Sequence, residues 1–413
     1  VANHVYGIDF GTSNSVTAIV NTTTRQLVHT ISENSVIYFR DAQTHYIGKQ
    51  AIQQYLQHNM QGRLLKSIKT LLPQPGFTFT YIFGKKYTAE DLVTLILSYL
   101  KQQADAYTGE EVDEVVLGRP VVFSEVAAND KLAEDRLLRA AKKAGFTKIK
   151  LQYEPIAAGF LYEQSIEKPE KVLIGDFGGG TSDFTLMKLD SARQGQADRR
   201  QDIIRTAGIH IGGDDFDAAV MWNQLTPYFG YGLKYESYGK MLDLPVHIFR
   251  TLCEWEQMAF LKEGKLRKSL DSYYLQTNKN EALLRLMQLI DNNLGFSLFQ
   301  TIEKAKIELS AAAHTQLQYS NGSIAIDDTL ERPAFDDYIH QDIEKVDAFL
   351  DNFLKAANST TQEIDNVFLT GGASSVAAVL DIFLKRFPAS KVHTGDNFNS
   401  VEQGLALSYF YLA

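Results

Sequence analysis

Val5-Tyr6-Gly7-Ile8-Asp9-Phe10-Gly11-Thr12-Ser13 is echoed about 170 residues later by Val172-Leu173-Ile174-Gly175-Asp176-Phe177-Gly178-Gly179-Gly180-Thr181-Ser182. Each copy runs from an apolar strand through an acid and a glycine turn to a hydroxyl. An alternating stretch follows each turn, Val16-Thr17-Ala18-Ile19-Val20 in the first and Phe184-Thr185-Leu186-Met187-Lys188-Leu189 in the second. Each turn is therefore expected within a β-hairpin. Two homologous α/β lobes are the simplest account of the repeat.

A phosphate chain needs clustered backbone N–H donors and a cation. Glycine turns supply the donors because no side chain blocks close approach, and Gly11-Thr12-Ser13 and Gly178-Gly179-Gly180-Thr181 meet that need. An acid ending the strand before each turn suits Mg²⁺ held through its waters, which makes Asp9 and Asp176 the candidate metal residues. A single glycine-rich turn is most often only a turn, and it is the second copy with its matching acid that gives the pair meaning. Gly212-Gly213-Asp214-Asp215-Phe216-Asp217 is a candidate wrap for β and γ phosphates. Gly371-Gly372 opens a helix whose N-terminus suits an α phosphate or a ribose. Either segment alone reads equally well as a strand-to-helix junction.

Helices punctuate the rest. Thr88 and Asp91 form a capping-box pattern ahead of apolar Leu92, Leu95, Ile96, Tyr99 and Leu100, which gives one buried face. A second helix is expected from about Asn129 to Ala144, stopped by Gly145, and a third from Pro155 after Glu154. Between Asp214 and Ser310 the pattern is mostly helical, clearest over Gln257 to Leu270 and Glu281 to Leu309, and reads as an insertion on the second lobe. The last strand signal, Asn366 to Thr370, runs into Gly371-Gly372 and a helix from about Ser375.

The 413 residues are 45% hydrophobic, enough for a large core and about two or three domains. Net charge is -9 and no long basic run occurs, so nucleic acid is an unpromising partner. No apolar run approaches the roughly 20 residues that cross a bilayer, and Val1-Ala2-Asn3-His4-Val5-Tyr6 leads straight into a strand with no secretory signal pattern. The single cysteine, Cys253, cannot form an internal disulfide, which fits the cytoplasm.

With these motifs in order, the chain resembles the nucleotide-binding domain of the DnaK-type heat-shock chaperones, the heat shock protein 70 family, within the actin and hexokinase ATPase superfamily. Tyr153-Glu154-Pro155-Ile156-Ala157-Ala158 resembles the family's hinge helix, Gly212 to Asp217 its phosphate motif, and Glu303-Lys304-Ala305-Lys306-Ile307-Glu308-Leu309-Ser310 its adenosine-side helix. The spellings Leu117-Gly118-Arg119-Pro120-Val121 and Gly212 to Asp217 look closest to the divergent YegD-like branch, which lacks a substrate-binding portion. The resemblance implies an actin-like α/β ATPase fold of two ribonuclease-H-like lobes around a nucleotide cleft. The lobe I core would take residues 1–37, 112–170 and 393–413, with an outer subdomain at 38–111. The lobe II core would take 171–213 and 314–392, with an outer helical subdomain at 214–313.

The resemblance also implies roles. Lys69 matches the family's catalytic lysine, which stabilises charge on the transferred phosphoryl group; on the residues alone it reads as a surface lysine. Glu154 and Asp176 would orient water or Mg²⁺, Asp183 would serve as an acceptor, and Thr12 with Thr181 would touch the γ phosphate. Glu154 is equally suited to a helix N-terminus. The matched ribose residues are Glu303 and Lys306, which read otherwise as a solvated helical pair. Ile307 and Ser375 stand where the family places two arginines around adenine, so the base would be held differently.

These readings imply an ATP/ADP and Mg²⁺ cofactor set and a slow ATPase that acts as a switch read by a protein client or regulatory protein. A small-molecule kinase, a catalytically silent nucleotide-gated module and an actin-like filament former are the alternatives. Within residues 1–413 neither the apolar, acid-flanked linker nor the β-sandwich through which the chaperones hold unfolded peptide is expected.

Overall fold

Two five-stranded sheets of one pattern form the centre of the computed structural model, which describes residues 3–193, 196, 199–254, 258, 261, 264–394 and 401–412. The first sheet holds β1 (His4–Phe10), β2 (Asn14–Asn21), β3 (Leu27–Asn34), β4 (Glu114–Arg119) and β5 (Lys148–Tyr153). The second holds β6 (Glu170–Phe177), β7 (Ser182–Leu189), β8 (Ile203–Ile209), β9 (Asn366–Thr370) and β10 (Val392–Thr394). Their orders are β3-β2-β1-β4-β5 and β8-β7-β6-β9-β10. In each, an antiparallel run of three strands is extended by two parallel ones. The sequence repeat is a repeat of topology.

β4 is buried along its whole length, as a parallel strand covered on both faces must be. One of its covers is the helix Val401–Ser408, which is pressed between β1 and the helix Glu154–Glu163. Glycine permits both contacts. A Cβ on Gly7 would lie 2.2 Å from the carbonyl oxygen of Glu402, and one on Gly404 would lie 2.0 Å from that of Ala157.

The local helix signals hold. Helix Ala89–Thr108 begins with the Thr88–Asp91 capping box and ends at Gly109, whose φ is 70°. Its Leu92, Val93, Ile96, Leu97 and Leu100 face the core. Helix Ala127–Lys143 stops before Gly145, at φ 102°. Three expectations change. The single helix expected over 281–309 is two, Glu281–Asp291 and Gly295–Leu309, separated where Asn293 takes a φ of 55°. The largely helical insertion also contains a hairpin, Lys234–Ser237 with Lys240–Asp243, closed by Tyr238 and Gly239 at positive φ. Instead of starting near Ser375, the late helix spans Ala377–Leu384 and follows a 3-10 turn, Gly372–Ser375. Of the helix expected over 257–270, the structure describes Gly264–Gln276, and residues 257, 259, 260, 262 and 263 lie outside the described residues.

Phe10, Leu97, Leu117 and Phe146 belong to the first lobe's core, while Phe177, Phe184, Phe353 and Phe383 belong to a core that runs on into the helical insertion through Leu286 and Phe299. Tyr38, Tyr55 and Met60 of the first lobe's outer layer join that second core. Tyr55 meets Phe296 edge-on at 5.9 Å, and Asn293 Nδ2 donates to the Met60 carbonyl oxygen at 2.9 Å. The outer ends of the two lobes are thus in contact. Among the described residues no helix is long and apolar enough to cross a membrane.

Candidate functional site

Strand register makes the two glycine turns equal in length. Pairing runs down to Phe10 opposite Ser15 and to Phe177 opposite Ser182, so residues 11–14 and 178–181 close the hairpins. Thr12 consequently occupies the place of Gly179, and Asn14 that of Thr181, so the two threonines are not counterparts. Ser35 holds the first turn: its N–H donates to Ser13 O at 2.8 Å and its hydroxyl to Gly11 O at 2.7 Å. The second turn is closed by Gly178 N–H to Thr181 O at 2.9 Å.

The glycine segment expected to wrap phosphates braces this second turn. Gly213 and Asp214 N–H donate to Gly178 O at 3.0 Å and Gly179 O at 2.7 Å, and Gly212 N–H goes to Asp215 Oδ2 at 2.7 Å. A Cβ on Gly212 would fall 2.3 Å from Gly179 O, so only glycine fits there. By contrast, the N–H groups of Thr12, Ser13, Gly179, Gly180 and Thr181 meet no protein acceptor among the described residues. The turns face one another closely: a Cβ on Gly179 would lie 3.1 Å from Ser13 Oγ and 3.2 Å from Asp214 Oδ2. Asp214 also reaches Lys66 of the first lobe, at 3.8 Å.

Between the turns stands one lysine among four acids. Lys69 is largely buried and places Nζ 2.9 Å from Glu154 Oε1. Burial pulls its ammonium down, but Glu154, Asp9 and Asp176 outweigh that and hold it above the ordinary lysine value. Asp9, half-buried at the end of β1, is pushed up by burial and by Glu154, against the pull of Lys69. Asp176 is raised by burial, eased by the Thr370 hydroxyl donating at 3.0 Å, and raised again by Glu154. Asp176 also opens on the cleft, where solvent screens these effects. Desolvation by the groups packed around it takes Asp183 up to about 6, although Thr181 Oγ1 donates to it at 2.9 Å and its side chain, like that of Asp176, stays open to solvent, which screens the effect.

A group this rich in carboxylates favours a bound cation. The described residues contain no cluster of three or more His, Cys, Asp or Glu set to hold a metal directly. Asp9 and Asp176, each near the end of a strand ahead of a glycine turn, are oxygen donors of the kind that suits a magnesium ion held through its waters.

The base-side residues divide. Lys306 is not solvated: it is buried, donates to Gly213 O at 3.0 Å and lies 2.8 Å from Asp217 Oδ1 in an ion pair. Glu303 is exposed. Ile307 is 58% exposed, an apolar side chain open to solvent. Ser310 Oγ donates to Ser375 Oγ at 3.4 Å, and Ser375 Oγ to Gly372 O at 3.1 Å. Gly371, at φ 81°, sits under the second acid, since a Cβ there would be 2.7 Å from Asp176 Oδ1.

Sequence reasoning missed Thr370, Lys66 and the role of Gly118. Thr370 was within reach as the hydroxyl that closes strand β9 ahead of Gly371-Gly372, but its pairing with Asp176 is a fact of parallel register. Gly118 lets Glu154 past the sheet, for a Cβ there would lie 3.1 Å from Glu154 Cγ. A family model described as Hsp70 protein matches residues 74–231 and 273–407, the greater part of the chain. The matched segments contain Glu154, the second turn, Gly212 to Asp217, Glu303 to Ser310 and Gly371 to Ser375, whereas the first turn and Lys69 precede them.

Proposed function

We propose, from the premise that the chain belongs to the Hsp70 family and has that family's nucleotide-binding, chaperone-like ATPase domain of actin-like α/β fold, that it is a slow Mg-dependent ATPase working as a switch. Its lobes close around ATP and reopen after hydrolysis, so that the bound nucleotide sets a conformation which a protein client or regulatory protein reads. The observation that carries this reading is the apposition of two equal turns with the Lys69–Glu154 pair among their acids. The lobe boundaries given above from sequence are proposed with it, except that β6 and β10 keep Glu170, His393 and Thr394 with the second lobe's sheet; a place in the cytoplasm is proposed too, which suits a chain with one cysteine.

The free amides of Thr12, Ser13, Gly179, Gly180 and Thr181 take phosphate oxygens, with Gly11 and Gly178 giving the turns their shape. Gly212, Gly213 and Asp214 keep the second turn in place. Asp9 and Asp176 hold the hydrated Mg²⁺, which supplies positive charge against the phosphate oxygens. Lys69 places a cation where charge grows on the transferred phosphoryl group, and Glu154, at hydrogen-bond distance, fixes its ammonium. Glu154 and Asp183 are the acceptors that orient the attacking water. On the base side, Glu303 takes the ribose, Lys306 positions Gly213, and Ile307, Gly371, Gly372 and Ser375 form the surface on which the base rests.

Calorimetric titration with Mg-ATP and Mg-ADP, paired with phosphate release, tests the reading on the wild type, Asp176→Asn and Lys69→Met. Both nucleotides should bind the wild type. Lys69→Met should keep binding and lose about 100-fold or more in release, the scale of one lost electrostatic stabiliser. Asp176→Asn should weaken Mg-nucleotide binding. Neither heat nor release from the wild type would end the proposal.

A further inference from the structure

Leu72-Pro73-Gln74-Pro75-Gly76-Phe77 follows the turn that carries Lys69, and Pro73 and Pro75 bring no N–H to it. The carbonyls of such a segment need donors from elsewhere. Among the described residues, backbone N–H groups reach only two of them, Gln74 N–H to Leu71 O at 3.3 Å and Phe77 N–H to Gln74 O at 3.2 Å; one side chain supplies the other donors. Arg136, buried on helix Ala127–Lys143, donates from Nη1 to the carbonyl oxygens of Leu71 (3.0 Å), Leu72 (3.0 Å) and Gln74 (2.9 Å), and from Nη2 to that of Phe77 (2.8 Å). Its nearest acid, Glu90, is 4.0 Å from Nε and is bound more closely by Arg139, at 2.7 Å. The guanidinium is thus matched mainly to carbonyl dipoles at the C-terminal end of the 3-10 turn Ile68–Leu71, the end where a cation is favoured and carbonyls are left over.

We propose that Arg136 is a positioning residue for Lys69, an inference that rests on the hydrolytic reading above. The turn is fixed at its start by Ser67, whose φ is 57°, and at its end by Arg136. Lys69 stands between the two anchors, its carbonyl accepting the Leu72 N–H at 3.1 Å and its Nζ meeting Glu154 at 2.9 Å. Without the guanidinium the Leu72 and Phe77 carbonyls have to find water while Leu71 O and Gln74 O keep only the longer Gln74 and Phe77 N–H bonds, the turn loosens, and the ammonium leaves the place where phosphoryl charge develops.

The test compares phosphate release and Mg-ATP affinity in wild type, Arg136→Met, Arg136→Lys, Lys69→Ala and the Arg136→Met/Lys69→Ala double variant. Arg136→Met should lose up to about 100-fold in turnover, the scale of a misplaced catalytic group, while Mg-ATP affinity stays within about threefold. Adding Arg136→Met to Lys69→Ala should cost nothing further, since the two residues act as one unit. Arg136→Lys should restore part of the loss. Amide hydrogen exchange over residues 68–77 should rise in Arg136→Met while the sheets stay protected.

Wild-type turnover in Arg136→Met, an equal fold-loss with and without Lys69, or unchanged exchange over 68–77 overturns the proposal. If Arg136→Met does not fold, Arg136→Lys serves for the same comparisons. A wild type that binds Mg-ATP but releases no phosphate refutes the hydrolytic reading, and this inference with it; a wild type that turns over leaves Arg136 alone to be judged.

Discussion

Replacing Gly404 by alanine adds one methyl group where two helices meet backbone to backbone. The new Cβ would stand 2.0 Å from the carbonyl oxygen of Ala157, 2.7 Å from its carbon and 3.1 Å from its Cα. Ordinary contact begins at 3.4 Å, so the Val401–Ser408 and Glu154–Glu163 helices must part by about 1.4 Å at this point. No rotamer relieves a clash with backbone. Nor can the Val401–Ser408 helix retreat, because β1 already lies against it at Gly7, where even a Cβ would be 2.3 Å from Ala406 N. The displacement therefore falls on the helix that begins with Glu154.

Overpacking of this kind costs about 1–3 kcal/mol, and each kcal/mol lowers melting by about 2–4 °C in a unit of 150–250 residues. The larger effect is on the site. A shift of more than 1 Å takes Glu154 out of its 2.9 Å contact with Lys69, and a misplacement of that size costs about 100-fold in rate. Thermal melting and phosphate release on the same Gly404→Ala sample separate the two effects. A variant that melts and turns over like the wild type refutes both the packing argument and the reach assigned to Glu154.

Two pH experiments follow from the acids. Asp183, raised to about 6 by desolvation among its neighbours although its side chain is exposed, gains its charge as pH rises through that value, so turnover should climb between about pH 5 and 7; the same climb in Asp183→Asn would clear Asp183 of responsibility. Asp217 is raised by burial to about 7, with Lys306 pulling it down. Its folded form therefore binds more protons than the unfolded chain between about pH 4 and pH 7, and stability falls as pH rises through that window. Denaturant unfolding near pH 5 and pH 8 should show a steeper decline in wild type than in Asp217→Asn, and parallel declines would reject the assignment.

How much of this was legible in the sequence follows from the range of each interaction. The hairpins with their turns, the Thr88–Asp91 box and the stop at Gly145 are local patterns, and all were readable. Asn293 broke a helix because it adopts a left-handed backbone inside an otherwise helical stretch, which periodicity does not register. The Tyr238-Gly239 turn lacks the Asn-Gly or Asp-Gly spelling that marks a tight hairpin. Lys306 read as half of a solvated pair because its true partner, Asp217, lies on another helix. Arg136 was invisible for the same reason: its acceptors begin about 60 residues upstream, and on its own helix it reads as one more basic residue.

The duplication also explains where the chemistry departs from symmetry. Both lobes offer an acid, a four-residue turn and a returning strand, so the proposed grip on phosphate is paired. Opposite Asp176, β7 carries Asp183 and β9 carries Thr370, whereas opposite Asp9, β2 carries Val16. One step beyond Leu117, which pairs with Ile8, β4 has Gly118 where β9 has its threonine. That glycine leaves room for Glu154, and Glu154 brings Lys69. The second lobe thus surrounds its acid with polar groups from its own sheet, while the first leaves a gap through which a carboxylate and an ammonium enter from a helix and an outer turn. Filling the gap, as Gly118→Thr would, should abolish turnover while leaving the paired turns able to bind nucleotide. Release lost together with binding would show that Gly118 serves the cleft as a whole rather than the entry of Glu154.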